Sequence, residues 1–163
     1  MMALHYIIDG YNVIYQAKRF TGKKLIDSRD GLIKFIEKYK PQGSLNNRVT
    51  VVFDGRPGIV NQRVSSLVKV IFSENESADD KIKKLVDFSK NPGLIVVVTN
   101  DRDIICYCRL LGASVKSVKE FLNVFWVHRK SASNDTGDEK VQLDSVIAKS
   151  ITRQLENIWL KKK

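Results

Sequence analysis

Leu94-Ile95-Val96-Val97-Val98-Thr99-Asn100-Asp101-Arg102-Asp103 is the stretch that decides how this chain folds. Its apolar residues stand on consecutive positions rather than alternating, and Pro92-Gly93 precedes them. That pattern predicts a strand, Leu94–Asn100, buried on both faces, as in a parallel sheet covered by helices. The acids that close it lead into a helix from Arg102 to Leu111, stopped by Gly112.

Working outward, the same alternation of apolar run and amphipathic segment recurs. Further strands are read at Leu4–Asp9, Arg48–Asp54 and Leu67–Ser73, with a weaker one near an edge at Ala113–Ser117. Between the first two runs, residues 10–48 are read as holding one helix, which follows the polar Asp27-Ser28 start and carries Leu32, Ile33, Phe35, Ile36 and Tyr39. A helix from Ser77 places Ile82, Leu85, Val86 and Phe88 on one face, and Ser117-x-x-Glu120 has the form of a capping box that opens another. Residues 129–139 read as an exposed loop and Val141–Leu160 as a final amphipathic helix folded back on the same domain. The expectation is an α/β fold with a mainly parallel five-stranded sheet, residues 1–128 forming the domain and 129–163 its appendage.

Charge narrows the partners. Lys and Arg number 28 against 18 Asp and Glu, a formal +10, which draws a protein towards polyanions or serves only solubility. No apolar run approaches the roughly 20 residues of a membrane span. No leader-like start is read either, so a cytoplasmic protein is expected. The two cysteines, Cys106 and Cys108, suggest buried helix residues rather than a disulfide or zinc framework.

The chemistry is suggested by where the acids fall. Asp9, Asp54 and Asp101 follow strand ends, and Ser77-Ala78-Asp79-Asp80 follows the link out of the third strand. All C-terminal ends of a parallel sheet lie on one rim, which is where open α/β sheets bind ligands. Like charges held together there need a cation, and carboxylates without His or Cys suit Mg²⁺ or Mn²⁺. Such an ion would support phosphodiester hydrolysis by a metal-activated water. The plain alternatives are structural: Asp79 and Asp80 as capping-box acids, Asp101 and Asp103 as the start of a helix, Asp54 as a turn residue. Asp9, followed by Gly10, has no evident helix to cap.

Taken in order, Ile8-Asp9-Gly10-Tyr11-Asn12-Val13, Val52-Phe53-Asp54-Gly55, Ser77-Ala78-Asp79-Asp80-Lys81-Ile82 and Thr99-Asn100-Asp101-Arg102-Asp103-Ile104 resemble the NYN-domain family. More narrowly, they resemble its YacP-like branch within the PIN-like nucleases. The resemblance implies a three-layer fold with strand order 3-2-1-4-5 and a Mg²⁺-dependent endoribonuclease acting on single-stranded RNA or mRNA, with ribosome association. It implies metal binding by Asp9, Asp80 and Asp101, which must then meet closely enough to hold one ion. Asn12 would orient water or phosphate, Asp79 and Asp103 would be secondary acids, and Asp54 and Thr99 would support the site from behind.

Substrate contacts are expected from the basic segment after the first motif, Lys18, Arg19, Lys23 and Lys24, with Phe20 stacking on bases. Arg56, Arg63 and Arg102 are further candidates, and Tyr11 is read as a packing residue. With only two histidines, His5 and His128, an acid/base ribonuclease is disfavoured. Two rivals remain: a receiver-like phosphoacceptor domain built on Asp54, Thr99 and Lys116, and a silent RNA- or ribosome-binding adaptor on the same fold.

Overall fold

Strands with apolar side chains on both faces can only be satisfied by helices on both sides, and that is the arrangement found. The computed structural model describes residues 2–17, 20, 25–56 and 67–123, all within the first of the two units into which the chain divides, Met1–Phe125. The expected loop at 129–139 and helix at Val141–Leu160 lie outside the described residues.

The strands are β1 (His5–Asp9), β2 (Arg48–Phe53), β3 (Val68–Phe72), β4 (Ile95–Val98) and β5 (Ser114–Lys116). They form one sheet of order β3-β2-β1-β4-β5 with every pairing parallel. The helices are α1 (Gly10–Gln16), α2 (Leu25–Tyr39), α3 (Ala78–Asp87) and α4 (Arg102–Leu110). A further helical segment begins at 118, behind the Ser117–Glu120 capping box.

The sheet divides the core in two. Tyr6, Ile8, Val51 and Phe53 pack with Val13 and Ile14 of α1, Leu32, Phe35 and Ile36 of α2, and Val118 and Phe121. Ile7, Val52 and Val97 face the other way, onto Ile82 and Val86 of α3 and Ile104 and Cys108 of α4. Burial at this density is the main favourable term in folding, worth about 2 kcal/mol for each fully buried Val, Leu or Ile. Among the described residues, no helix is long and apolar enough to cross a membrane.

Three sequence expectations change. Residues 10–48 hold two helices, not one, because α1 starts directly after β1. Phe88, expected on the apolar face of α3, instead caps its C-terminus and is 82% exposed. Cys108 is buried, its thiol pushed up to about 11 by desolvation, but Cys106 faces solvent.

Candidate active site

The site begins with two aspartates that start helices. Asp9 ends β1 and its carboxylate accepts the N–H of Asn12 at 3.2 Å, which makes it the N-cap of α1. Asp101, three residues beyond β4, accepts the N–H groups of Asp103 and Ile104 at 2.9 and 3.1 Å and caps α4. β1 and β4 are neighbours, and their helices depart to opposite faces of the sheet. This is the switch point of the strand order, the position at which open α/β sheets bind ligands. The reading that Asp9 has no helix to cap is therefore corrected. Seven residues are too few to show a periodic pattern, and the Asp9–Asn12 cap was the local sign of the helix.

Thr99 binds the two aspartates together. Fully buried, its hydroxyl donates to Asp9 Oδ2 at 3.1 Å and accepts the N–H of Asp101 at 3.1 Å. Asn12 ties the helices from outside: its Oδ1 accepts from the Asn100 N–H at 3.0 Å and from Gln16 Nε2 at 2.6 Å. Asn100 in turn bonds Gln16 Oε1 and accepts the N–H of Val118. Gln16 and Asn100 escaped the sequence reading, although the four-residue spacing of Asn12 and Gln16 on one helix face was visible.

Electrostatics relate the acids that open α3 to this pair. Burial, the largest cause, raises the Asp9 carboxyl to about 6. The bonds from Asn12 and Thr99 pull it down, and the charges of Asp79 and Asp101 push it up again. Asp79, in the first turn of α3, is raised by burial and then by Asp101, with smaller contributions from Asp80 and Asp54. Asp80 is exposed and turned back, accepting the Ser77 hydroxyl at 2.8 Å while its own N–H bonds Ser77 Oγ. Adjacent residues on a helix point about 100° apart, so one can face the rim and the other the cap. Of the two acids that open α3, it is Asp79 whose charge is felt at Asp9 together with that of Asp101.

Asp54 is exposed and accepts from Ser73 Oγ at 2.8 Å, which holds it over the end of β3 at the margin of this field. Asp103 lies exposed in the first turn of α4. Arg56 and Arg102 are exposed, and Lys18, Arg19, Lys23, Lys24 and Arg63 lie outside the described residues. Phe20 is buried edge-on to Phe35, so the expectation that it stacks on bases is withdrawn.

Among the described residues, no three His, Cys, Asp or Glu side chains converge as a ready ion cage. The donor set nevertheless suits a hard cation: it is all carboxylate oxygen, and the only ion pairs among the described residues join Glu76 to Lys81 and Lys84. Mg²⁺ uses one or two carboxylates and completes its shell with water, so it does not require such a cage.

The YacP-like NYN domain matches residues 6–160, nearly the whole chain. This chain belongs to that family. The YacP-like NYN domains are nucleases of the PIN-like kind, and the sheet order found here is the one the resemblance implied. The chain is similar to the crystal structure of Rae1 (YacP) from Bacillus subtilis, with 28% identity and a TM-score of 0.62 over 99% of this chain and 96% of that one. A W164L mutant of the same protein gives 30% identity and a TM-score of 0.59, covering 90% and 91%. No curated protein matches.

The geometry of this YacP-like NYN domain also removes the receiver reading. Lys116 on β5 donates to the Tyr6 hydroxyl at 3.2 Å. Asp54 follows β2, three strand spacings from β5 and so about 14 Å away. His5 sits at the opposite end of β1 from Asp9, about 13 Å along the strand, and bonds Thr50 Oγ1. Burial, then Arg48 and Lys69, lower its pKa and so favour its neutral form.

Proposed function

We propose that this chain is a divalent-metal-dependent endoribonuclease that cleaves single-stranded RNA. The observation that carries this reading is the setting of Asp9. It is 7% exposed at the switch point, in the field of Asp79 and Asp101, and in no ion pair with a described residue. A buried charge in that position is costly unless something binds it.

Asp9, Asp79 and Asp101 would hold Mg²⁺ or Mn²⁺, with Asp54 and Asp103 as outer acids. When bound, the ion supplies positive charge to the phosphodiester oxygens and acidity to a water. The chain's own residues arrange the rest. Thr99 and the first turn of α1 fix the Asp9 carboxylate and favour its charged form. Asn12 has committed Oδ1 to the scaffold, which leaves Nδ2 to donate to a phosphate oxygen or the attacking water. The one described histidine, His5, stands at the far end of the strand, and a metal-activated water needs no ribose 2′-hydroxyl, so the proposed products carry 5′-phosphate and 3′-hydroxyl ends.

The charge of +10 supports a polyanionic partner. Arg56, Arg102 and the basic positions 18, 19, 23, 24 and 63 are the proposed phosphate contacts. The reading extends to mRNA in the cytoplasm, with the ribosome as the platform on which it is met. The test incubates the purified full chain with unstructured RNA and with mRNA on translating ribosomes, in Mg²⁺ or in EDTA, and identifies the ends. Cleavage leaving 5′-phosphates, lost in EDTA and in Asp9→Asn, is expected. Equal cleavage by Asp9→Asn refutes the site, and no cleavage of either substrate refutes the function.

A further inference from the structure

We infer that Tyr15, Tyr11 and Arg29 form a docking strip for single-stranded RNA beside the acids, with a base stacked on Tyr15 and a phosphate on Arg29. This rests on the nuclease reading above and assigns it a substrate subsite.

α1 carries a pair of tyrosines besides its buried residues. Tyr11 and Tyr15, four residues apart, stack with ring centroids 5.8 Å apart at 23°. Tyr11 leans in turn on Phe53 at 5.2 Å. Tyr15 is 68% exposed, so its ring is covered on the Tyr11 side and open to solvent beyond it. An exposed aromatic ring braced by another is a stacking platform, and sequence-tolerant stacking of bases on such rings is how single strands are gripped.

Arg29 reaches the same place from α2. Its Nε donates to the Tyr11 hydroxyl at 2.8 Å, and Nη2 bonds the same oxygen. The guanidinium lies 5.4 Å from the Tyr11 and Phe53 ring centroids and 5.0 Å from that of Phe72. Three rings hold the cation in place without neutralising it. Of the five N–H donors of an arginine, two are spent on Tyr11. The other three have no partner among the described residues, and no described carboxylate pairs with it. Such a fork matches the oxygens of a phosphate.

Position links the strip to the reaction. Phe53 and Phe72 are the last residues of β2 and β3, so Arg29 lies at the rim that carries Asp9. Tyr11 follows Asp9 by two residues, and Tyr15 lies about 9 Å further along α1 than Asp9. A nucleotide chain with one phosphate at the acids would run past Arg29 and lay a neighbouring base on Tyr15. Paired bases present no free face there, which makes the strip selective for single strands.

The experiment titrates a labelled, unstructured oligoribonucleotide into the full chain carrying Asp9→Asn, in EDTA, so that cleavage does not interfere. A duplex of the same sequence runs in parallel. Adding Tyr15→Ala should weaken single-strand binding about tenfold and leave duplex binding within twofold, whereas Tyr15→Phe should bind like its parent. Arg29→Lys, which keeps the charge but not the fork, should weaken binding severalfold. If a thermal melt shows that this variant unfolds, the exposed Tyr15 pair decides alone. Equal binding by Tyr15→Ala and its parent, equal losses on single strand and duplex, or no binding by the parent overturns the inference. Tyr15-dependent binding by a protein that never cleaves would instead refute the nuclease reading and leave the strip standing.

Discussion

The hydroxyl of Thr99 donates to Asp9 across 3.1 Å while accepting the N–H of Asp101, so one buried side chain serves both aspartates of the switch point. It is also among the causes that lower the Asp9 carboxyl against the upward pull of burial. Thr99→Val keeps the shape and removes the bond. A hydrogen bond to a charged group contributes about 1.5–3 kcal/mol, or roughly one pH unit or more at 1.4 kcal/mol per unit. The acid limb of the cleavage–pH profile in limiting Mg²⁺ should therefore move up by about one unit. An unmoved limb would show that Asp9 is not the group being titrated.

Asp9 should make the metal-free protein less stable as the pH rises. Its folded pKa, about 6, lies above the ordinary 3.8, so the folded state holds this proton more tightly than the unfolded chain does. That contribution is fully present below pH 3.8 and is lost as the pH climbs through about 6, amounting to about 3 kcal/mol. Asp9→Asn should abolish cleavage and yet, in EDTA at pH 8, raise the melting temperature by about 6–12 °C. Melts of the two proteins across pH 4–8 measure this difference, which should vanish at the acid end.

The two acids at the start of α3 should separate cleanly. Asp79→Ala removes a charge that raises Asp9 and should cut cleavage about 100-fold while raising the Mg²⁺ concentration needed. Asp80→Ala removes the partner of the Ser77 hydroxyl and a minor repulsion on Asp79, costing about 0.5–1 kcal/mol of stability with cleavage changed less than about threefold. Reversal of the two effects would restore Asp80 to the site.

Gly10 should not tolerate even alanine. A Cβ there would lie 2.3 Å from Phe53 Cε1 and 2.5 Å from Cδ1, and Phe53 is fully buried with nowhere to move. The helix-propensity gain of about 1 kcal/mol is outweighed by an overpacking cost of about 1–3 kcal/mol, with Asp9 shifted as well. A lower urea midpoint and weakened cleavage are expected. An unchanged midpoint would mean that α1 does not start against Phe53.

The strands were legible because Ile7, Val51, Val52, Val97 and Val98 are buried whichever way they point, which leaves a dense apolar run in the sequence. Their order was not carried by that pattern, and only the family resemblance supplied it. α1 stayed hidden because seven residues hold too few buried positions to declare a period. The choice between Asp79 and Asp80 is a matter of rotation about one helix, which neighbouring identical residues cannot express. Phe20 looked like a base-stacking residue among lysines and arginines, but a large ring close to a core is drawn inside. The Arg29 cage draws on residues 11, 29, 53 and 72, and nothing local to any of them announces the others.

The carboxylate that begins α1 sets selection on activity against the thermodynamics of the fold. A lineage that no longer needed to cut its target would be rewarded for trading that acid for an amide, since the exchange preserves the cap and discards a buried charge. Silent descendants of this architecture should therefore arise by one recurrent substitution rather than by scattered decay, and they should outlast their working ancestors on heating.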